Sequence, residues 1–287
     1  MSKYFDTLNH EILLNILRRD VKDERVIQWI KRYLKSGAME NGVVMETEEG
    51  SPQGGNLSPL LANIYLNEFD QEYQKRGVVI VRYADDIVLL AKSERAAKRL
   101  LETIRKYLEG TLKLKVNRKK SRAVSVFAIR KFKFLGFTLG KNGKGIYVRV
   151  HGKSWKKMKS KLKEFSSRRS VQSIRAKLAK IKEYMRGWLN YYGIAEMKNR
   201  IDELNSWLYH RIRMCIWKQW KKPKTKVKNL LKMGVPEDLA YQAGNSRRGY
   251  WFTTHTVAVN LAMTKERPIN SGFYDLATAY QSVHVNC

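Results

Sequence analysis

The sequence predicts an α+β layer that gives way to an all-helical region near residue 150. Three observations predict it. Two short apolar runs, Val78–Val81 and Ile87–Leu90, have strand length and lie between longer segments with helical periodicity. More strand-like runs follow with short turns, which makes the first half a mixed layer. From about Lys153 to Lys232, about two dozen basic residues stand against about five acidic ones, and the apolar pattern becomes purely helical. The expected domains are therefore residues 1–150 and 151–287, separated by a change in composition with no flexible linker.

Each element has a local reason. Asn9 suits the N-cap of a helix whose one face carries Ile12, Leu13, Ile16 and Leu17, and Val26, Ile27, Ile30 and Leu34 repeat that pattern. Gly37 to Gly50 alternates loosely, as a hairpin turning at Asn41-Gly42 would. After Ser51-Pro52-Gln53-Gly54-Gly55, a helix is expected from Ser58 to Lys75, with Pro59 in its first turn. Glu94–Leu108 is amphipathic, and Arg122–Phe127, Phe132–Leu139 and Gly145–Val150 read as strands. Further on, Ile174, Leu178, Ile181, Met185 and Leu189 form one apolar stripe, and Ile201, Leu204, Leu208, Ile212 and Ile216 form another. The opposite faces combine basic residues with Trp155, Trp188, Tyr191, Tyr192, Trp207, Trp217 and Trp220. About half of these aromatics are expected to be core, and the rest are available to stack on bases.

The charge narrows the partners. With 57 Lys and Arg against 26 Asp and Glu, the chain carries a net charge of +31, a field that draws polyanions and above all nucleic acid. No apolar run approaches the roughly 20 residues of a membrane-spanning helix, and no signal peptide opens the sequence. Two cysteines, Cys215 and Cys287, offer neither a disulfide framework nor a zinc spacing. A reduced, cytoplasmic protein without a structural metal is expected.

The two apolar runs flank Arg82-Tyr83-Ala84-Asp85-Asp86. Adjacent aspartates at a turn can be a turn and nothing more. Flanks this apolar, however, predict strands covered on both faces, where neighbouring carboxylates repel each other and resist desolvation. A divalent cation answers both costs, and Mg²⁺ takes oxygen ligands of this kind. In phosphoryl transfer to a nucleic-acid 3′ end, two metals activate the attacking hydroxyl and stabilise the leaving pyrophosphate.

Tyr83-Ala84-Asp85-Asp86 between apolar strands resembles the central motif of reverse transcriptases. The stretch from Ser51 to Asp70 is similar to the preceding motif of group II intron reverse transcriptase/maturases, and Leu112–Ser121 to the following one. Phe134-Leu135-Gly136-Phe137 resembles the strand that supports the primer end. Tyr184–Gly193, Trp217–Lys224 and Ser246–Trp251 resemble the thumb, or maturase, part. The resemblance runs in order from about Lys3 to near the C-terminus. It implies a right-hand polymerase palm over residues 1–150 and a helical, RNA-binding thumb/maturase domain over 151–287. It implies an RNA-directed DNA polymerase that holds Mg²⁺ on Asp85 and Asp86, both catalytic, and that contacts nucleotide through Phe5, Gln53, Gly54 and Lys120. The implied partners are intron RNA, an RNA template with a DNA primer, and deoxynucleoside triphosphates.

The sequence departs from that family at its start. The family's first metal-binding aspartate stands five residues ahead of the aromatic matched by Phe5, and counting back five lands before Met1. Asp6 is no substitute. Six strand residues span about 20 Å, and Asp6 lies where the chain turns toward a helix, so a local turn or capping role is expected. The reading is thus an N-terminally truncated reverse transcriptase/maturase with one carboxylate of its two-metal site missing and with impaired catalysis. The alternatives are a non-catalytic intron-RNA-binding splicing factor and an inactive mobile-element remnant. No cysteine or histidine pairs of the kind a metal-dependent endonuclease needs occur near the C-terminus, so no nuclease domain is expected.

Overall fold

A computed structural model describes residues 4–36, 39–40, 43–44, 49–52, 55–125, 132–143, 145–264 and 272–284. The chain forms two compact units, Met1–Ala128 and Ile129–Cys287.

The first unit opens with a 3₁₀ turn, Tyr4–Asp6, and two helices, α1 (His10–Asp20) and α2 (Glu24–Lys35). Asn9 caps α1 as expected, accepting from the Ile12 N–H at 3.1 Å, and Asp23 caps α2. The short strands β1 (Met39–Glu40) and β2 (Val43–Val44) pair as Met39↔Val44 and Glu40↔Val43. The turn expected at Asn41-Gly42 lies outside the described residues. Helix α3 (Ser58–Lys75) has its expected bounds, with Pro59 in the first turn. Strands β3 (Ile80–Tyr83) and β4 (Asp86–Leu89) form an antiparallel hairpin, followed by α4 (Glu94–Lys106) and a π-helical turn, Tyr107–Thr111. Leu61, Tyr65, Leu66, Phe69 and Tyr73 of α3 are fully or almost fully buried in the unit's core.

The second unit begins with the hairpin β5 (Phe137–Asn142) and β6 (Gly145–Val150). Two expected strands change here. Residues 122–125 are not strand and 126–127 lie outside the described residues, while the run expected from Phe132 becomes strand only at Phe137. The cause is a tight turn at Leu135-Gly136, where Phe134 and Phe137 exchange both backbone hydrogen bonds. Both turn residues have positive φ, +49° and +82°. A Cβ at Gly136 would lie 2.4 Å from the Tyr192 hydroxyl, so glycine is required twice over.

Helices α5 (Gly152–Phe165), α6 (Ile174–Tyr192) and α7 (Lys198–Gln219) follow, then α8 (Pro223–Lys232), α9 (Glu237–Gly244), α10 (Tyr250–Thr253), α11 (Val257–Ala262) and α12 (Leu276–His284). The two expected stripes are core seams: Leu178, Ile181, Met185 and Leu189 pack with Ile201, Leu204, Leu208 and Ile212. A second core joins α8, α9 and α11 around Leu230, Ala240 and Val259. The compact division at 128/129 precedes the change in composition near 150 because β5–β6 folds onto the helices. The Glu196 N–H donates to Val148 O at 2.9 Å, and the Phe137 ring lies 5.5 and 5.0 Å from Tyr191 and Tyr192.

Among the seven aromatics singled out on the basic faces, only Tyr191 is exposed. Trp188 and Trp217 are buried and the others half-buried, with Trp155, Trp188, Tyr192 and Phe137 in a chain of ring contacts. These rings pack the helices together more than the sequence suggests, because rings on adjacent turns of α6 reach both α5 and β5.

Candidate active site

Tyr83 pairs with Asp86, which leaves Ala84-Asp85 as the two-residue tip of the β3–β4 hairpin. Ala84 has φ +50°, the left-handed region that costs a non-glycine residue about 1 kcal/mol. Arg82 holds this tip. Its guanidinium donates to the Ala84 carbonyl at 3.2 Å, to Asn63 Oδ1 at 3.0 Å, and to both carboxylate oxygens of Asp70 at 2.5–2.9 Å. The fork geometry of arginine suits a carboxylate gripped in this way. The Tyr4 hydroxyl, which donates to Ala62 O at 2.5 Å, lies within the same charge field. Burial raises its pKa beyond the ordinary phenol range; Arg82 opposes that rise, while Tyr65, Asp85 and Asp70 add to it.

The expectation that both faces of these strands are covered is corrected. Val78, Ile80, Ile87 and Leu89 pack on the core, whereas Val79, Val81, Tyr83 and Leu90 are about half exposed or more, Tyr83 at 65%. Among the described residues β3 and β4 pair only with each other, and the outward-facing Val79, Val81 and Tyr83 are left open to solvent. Asp86 is accordingly exposed and Asp85 half-buried. Desolvation is therefore not what a cation would relieve here; the adjacency of the two carboxylates remains.

Asp85 and Asp86 stand next to each other where β3 turns into β4, the pair for which a Mg²⁺-binding role was expected. Among the described residues no group of three or more His, Cys, Asp or Glu side chains could hold a metal ion. Asp70, on the helix beside the hairpin, is engaged by Arg82. The described residues thus fit part of a two-metal clamp and do not complete it.

The nucleotide-contact candidates divide. Phe5 is half-buried, its ring 5.4 Å from that of Tyr4, and its carbonyl accepts the Ser51 N–H at 2.7 Å. The loop after Ser51 is fastened at its base. His10 Nε2 bonds Gly50 O at 2.6 Å, Ser51 Oγ donates to Ser58 Oγ at 2.6 Å, and Ser58 Oγ donates to Pro52 O at 2.8 Å. A Cβ at Gly55 would lie 1.9 Å from the Tyr33 hydroxyl, which explains a glycine there. Gln53 and Gly54 lie outside the described residues. Lys120 is exposed in a turn whose backbone bonds Asn117. Asp6 ends the 3₁₀ turn, its backbone 3.1 Å from where a Cβ at Gly50 would stand, in keeping with the expected turn role.

Arg82 and Asp70 escaped the sequence reading. A signal for them exists: Val78, Ile80 and Arg82 share the inward face of one strand, and a charge on that face requires a partner on the helix beneath.

A hairpin with two adjacent carboxylates, packed on the buried face of α3, thus precedes a strongly basic helical unit. The sequence family described as reverse transcriptase (RNA-dependent DNA polymerase) matches residues 1–139, and the group II intron, maturase-specific domain matches residues 155–234. Protein YkfC of Escherichia coli is 34% identical over 42% of this chain and 41% of its own length. The group II intron-encoded protein LtrA of Lactococcus lactis is 46% identical over 23% of this chain and 11% of its own length. The uncharacterized 91 kDa protein in cob intron of Schizosaccharomyces pombe is 39% identical over 23% of this chain and 8% of its own. The chain thus matches less than half the length of each of these relatives. It belongs to the group II intron-encoded reverse transcriptase/maturases, an assignment that rests on both domains in order. No helix among the described residues is long and apolar enough to cross a membrane.

Proposed function

We propose that the protein is an RNA-directed DNA polymerase of the group II intron type, joined to a domain that binds intron RNA and assists its splicing. The observation that carries this reading is the presentation of Asp85 and Asp86 at the tip of a rigidly held hairpin. In this reading residues 1–150 serve as palm and 151–287 as thumb and maturase, in the cytoplasm. Asp85 and Asp86 hold Mg²⁺, which when bound supplies charge stabilisation for addition of a deoxynucleotide to a primer 3′ end. Phe5, Gln53, Gly54 and Lys120 contact the incoming deoxynucleoside triphosphate opposite an RNA template. In this reading polymerisation by the 287-residue chain is weak.

The second reading, a splicing factor that works without polymerisation, is favoured by the basic character of the helical unit. Asp85→Ala separates the two contributions. Intron-RNA affinity and splicing assistance are expected to stay within about twofold of the parent protein, since a carboxylate neutralises no phosphate. Affinity should fall steeply with salt in both proteins. Loss of RNA binding in the variant, or no binding in the parent, would refute the assignment of RNA binding to the helical unit.

A further inference from the structure

The helical unit contains cations that no carboxylate answers. Lys177 of α6 is 2% exposed, and its Nζ donates to Ser167 O at 2.6 Å and Ser170 O at 3.2 Å. Arg211 of α7 donates to Ser166 Oγ at 2.6 Å, Lys163 O at 2.9 Å and Ser166 O at 3.1 Å. These two cations hold the α5–α6 loop by its carbonyls, which are dipoles and leave the positive charge uncompensated. The loop carries Arg168 and Arg169, both exposed.

Arg168 does not point into empty solvent. Its guanidinium lies 5.0 Å from the centre of the Tyr250 ring. Lys226 Nζ is 5.7 Å from the same ring and 5.0 Å from that of Trp217, and Arg248 is 4.4 Å from the Phe252 ring. Among the described residues, none of Arg168, Lys177, Arg211, Lys226 and Arg248 takes part in an ion pair. A cation over an aromatic ring is attracted through its face. The N–H donors of a guanidinium lie in its plane and stay available for a bidentate phosphate. Rings therefore position these cations here without neutralising them. Partial burial of Lys226, which lowers its pKa, shows the ammonium held close to the protein. Trp251, between Tyr250 and Phe252 in the chain, is 42% exposed, its ring 4.9 Å from that of His255 and 6.1 Å from that of His210, both tilted to it.

We propose that Arg168, Lys226 and Arg248, with Trp251, form a binding site for single-stranded RNA, in which the cations take phosphates and the indole stacks on an unpaired base. The site rests on the RNA-binding reading above and deepens it. It joins the α5–α6 loop to residues 248–252, which lie beyond the matched maturase-specific segment, 155–234. An exposed indole favours a single strand because a duplex keeps its base faces covered.

The test is fluorescence anisotropy of a labelled single-stranded RNA with the full chain across a salt series. Arg168→Gln with Arg248→Gln is compared with Lys31→Gln with Lys35→Gln, an equal loss of charge on α2. The first pair is expected to weaken binding roughly tenfold and to make the slope of log affinity against log salt shallower by about 1.4, the value for two lost phosphate contacts on a single strand. The control pair should do clearly less. Trp251→Ala should weaken binding with the slope unchanged. All these side chains are exposed, so unfolding temperatures should match; where the double variant unfolds early, Arg248→Gln alone is read for a slope change of about 0.7. Equal weakening by both pairs would reduce the site to net charge and overturn it. Unchanged binding in the first pair would overturn the site while leaving RNA binding intact. Loss confined to duplex DNA would overturn the choice of ligand. Absence of RNA binding by the parent chain would remove the reading on which the site rests, and the site with it.

Discussion

Phe69→Ala is expected to destabilise the first unit by about 3–5 kcal/mol, the usual cost of truncating a fully buried phenyl ring. Phe69 is 0% exposed on α3, its ring 4.8 Å from that of Tyr73 and 6.3 Å from that of Tyr107, and the latter two meet edge-on at 5.7 Å. The same helix anchors its neighbours through Tyr65, whose hydroxyl donates to Leu112 O at 2.6 Å, and through Ala62 O, which accepts from Tyr4. Removing the ring leaves a cavity beside the Tyr73 and Tyr107 rings. Amide hydrogen exchange over residues 58–75 in the full chain measures the effect as lost protection. A loss below about 1 kcal/mol would show that α3 is not the keystone of this unit.

Arg82→Ala is the substitution expected to change the hairpin most. It removes the fork that joins Asp70, Asn63 and the Ala84 carbonyl. The Arg82 and Asp70 side chains are 14% and 29% exposed, so the carboxylate left behind is only partly rehydrated. An expected loss of about 1–3 kcal/mol follows, below the figure for a fully buried pair. The local effect should be larger than the global one. Ala84 keeps its positive φ only while the surroundings impose it, so exchange at residues 83–86 should quicken more than that of the α3 core. Arg82→Lys should restore little, since an ammonium cannot reproduce the bidentate grip. Unchanged exchange at the tip in the alanine variant would show that the turn holds itself.

The sequence carried the helices well because their signals are local. Asn9, Pro59 and the 3.6-residue apolar spacing mark α1 and α3 without reference to anything distant. The hairpin was legible for the same reason, as two apolar runs around a polar turn. Where the reading failed, the deciding fact was tertiary. Val79, Val81 and Tyr83 are as apolar or aromatic as residues of a covered strand, yet in the fold they face solvent. Phe132–Phe134 reads as strand until Leu135-Gly136 closes a turn against Tyr192. Trp188 and Trp217 sit on basic helices yet are buried, because packing between helices decides which side of a ring meets water. The site divides similarly. Asp85 and Asp86 could be found from their motif and from their position between strands, while the clamp of Arg82 on Asp70 spans twelve residues and needed the fold to be seen. Fastening the loop base of residues 50–58 to Phe5 and His10 likewise depends on three segments meeting.

The proposed role of Asp85 and Asp86 is that of carboxylates in a polymerase metal site that the described residues leave incomplete. Primer extension on an RNA template with Mg²⁺ and deoxynucleoside triphosphates tests this most directly, with the 287-residue chain beside its Asp85→Ala variant. Extension by the parent chain is expected to be weak or absent, and whatever remains should be lost in the variant. Robust synthesis that depends on Asp85 would contradict the incompleteness of the site, and robust synthesis indifferent to Asp85 would contradict its place in the chemistry.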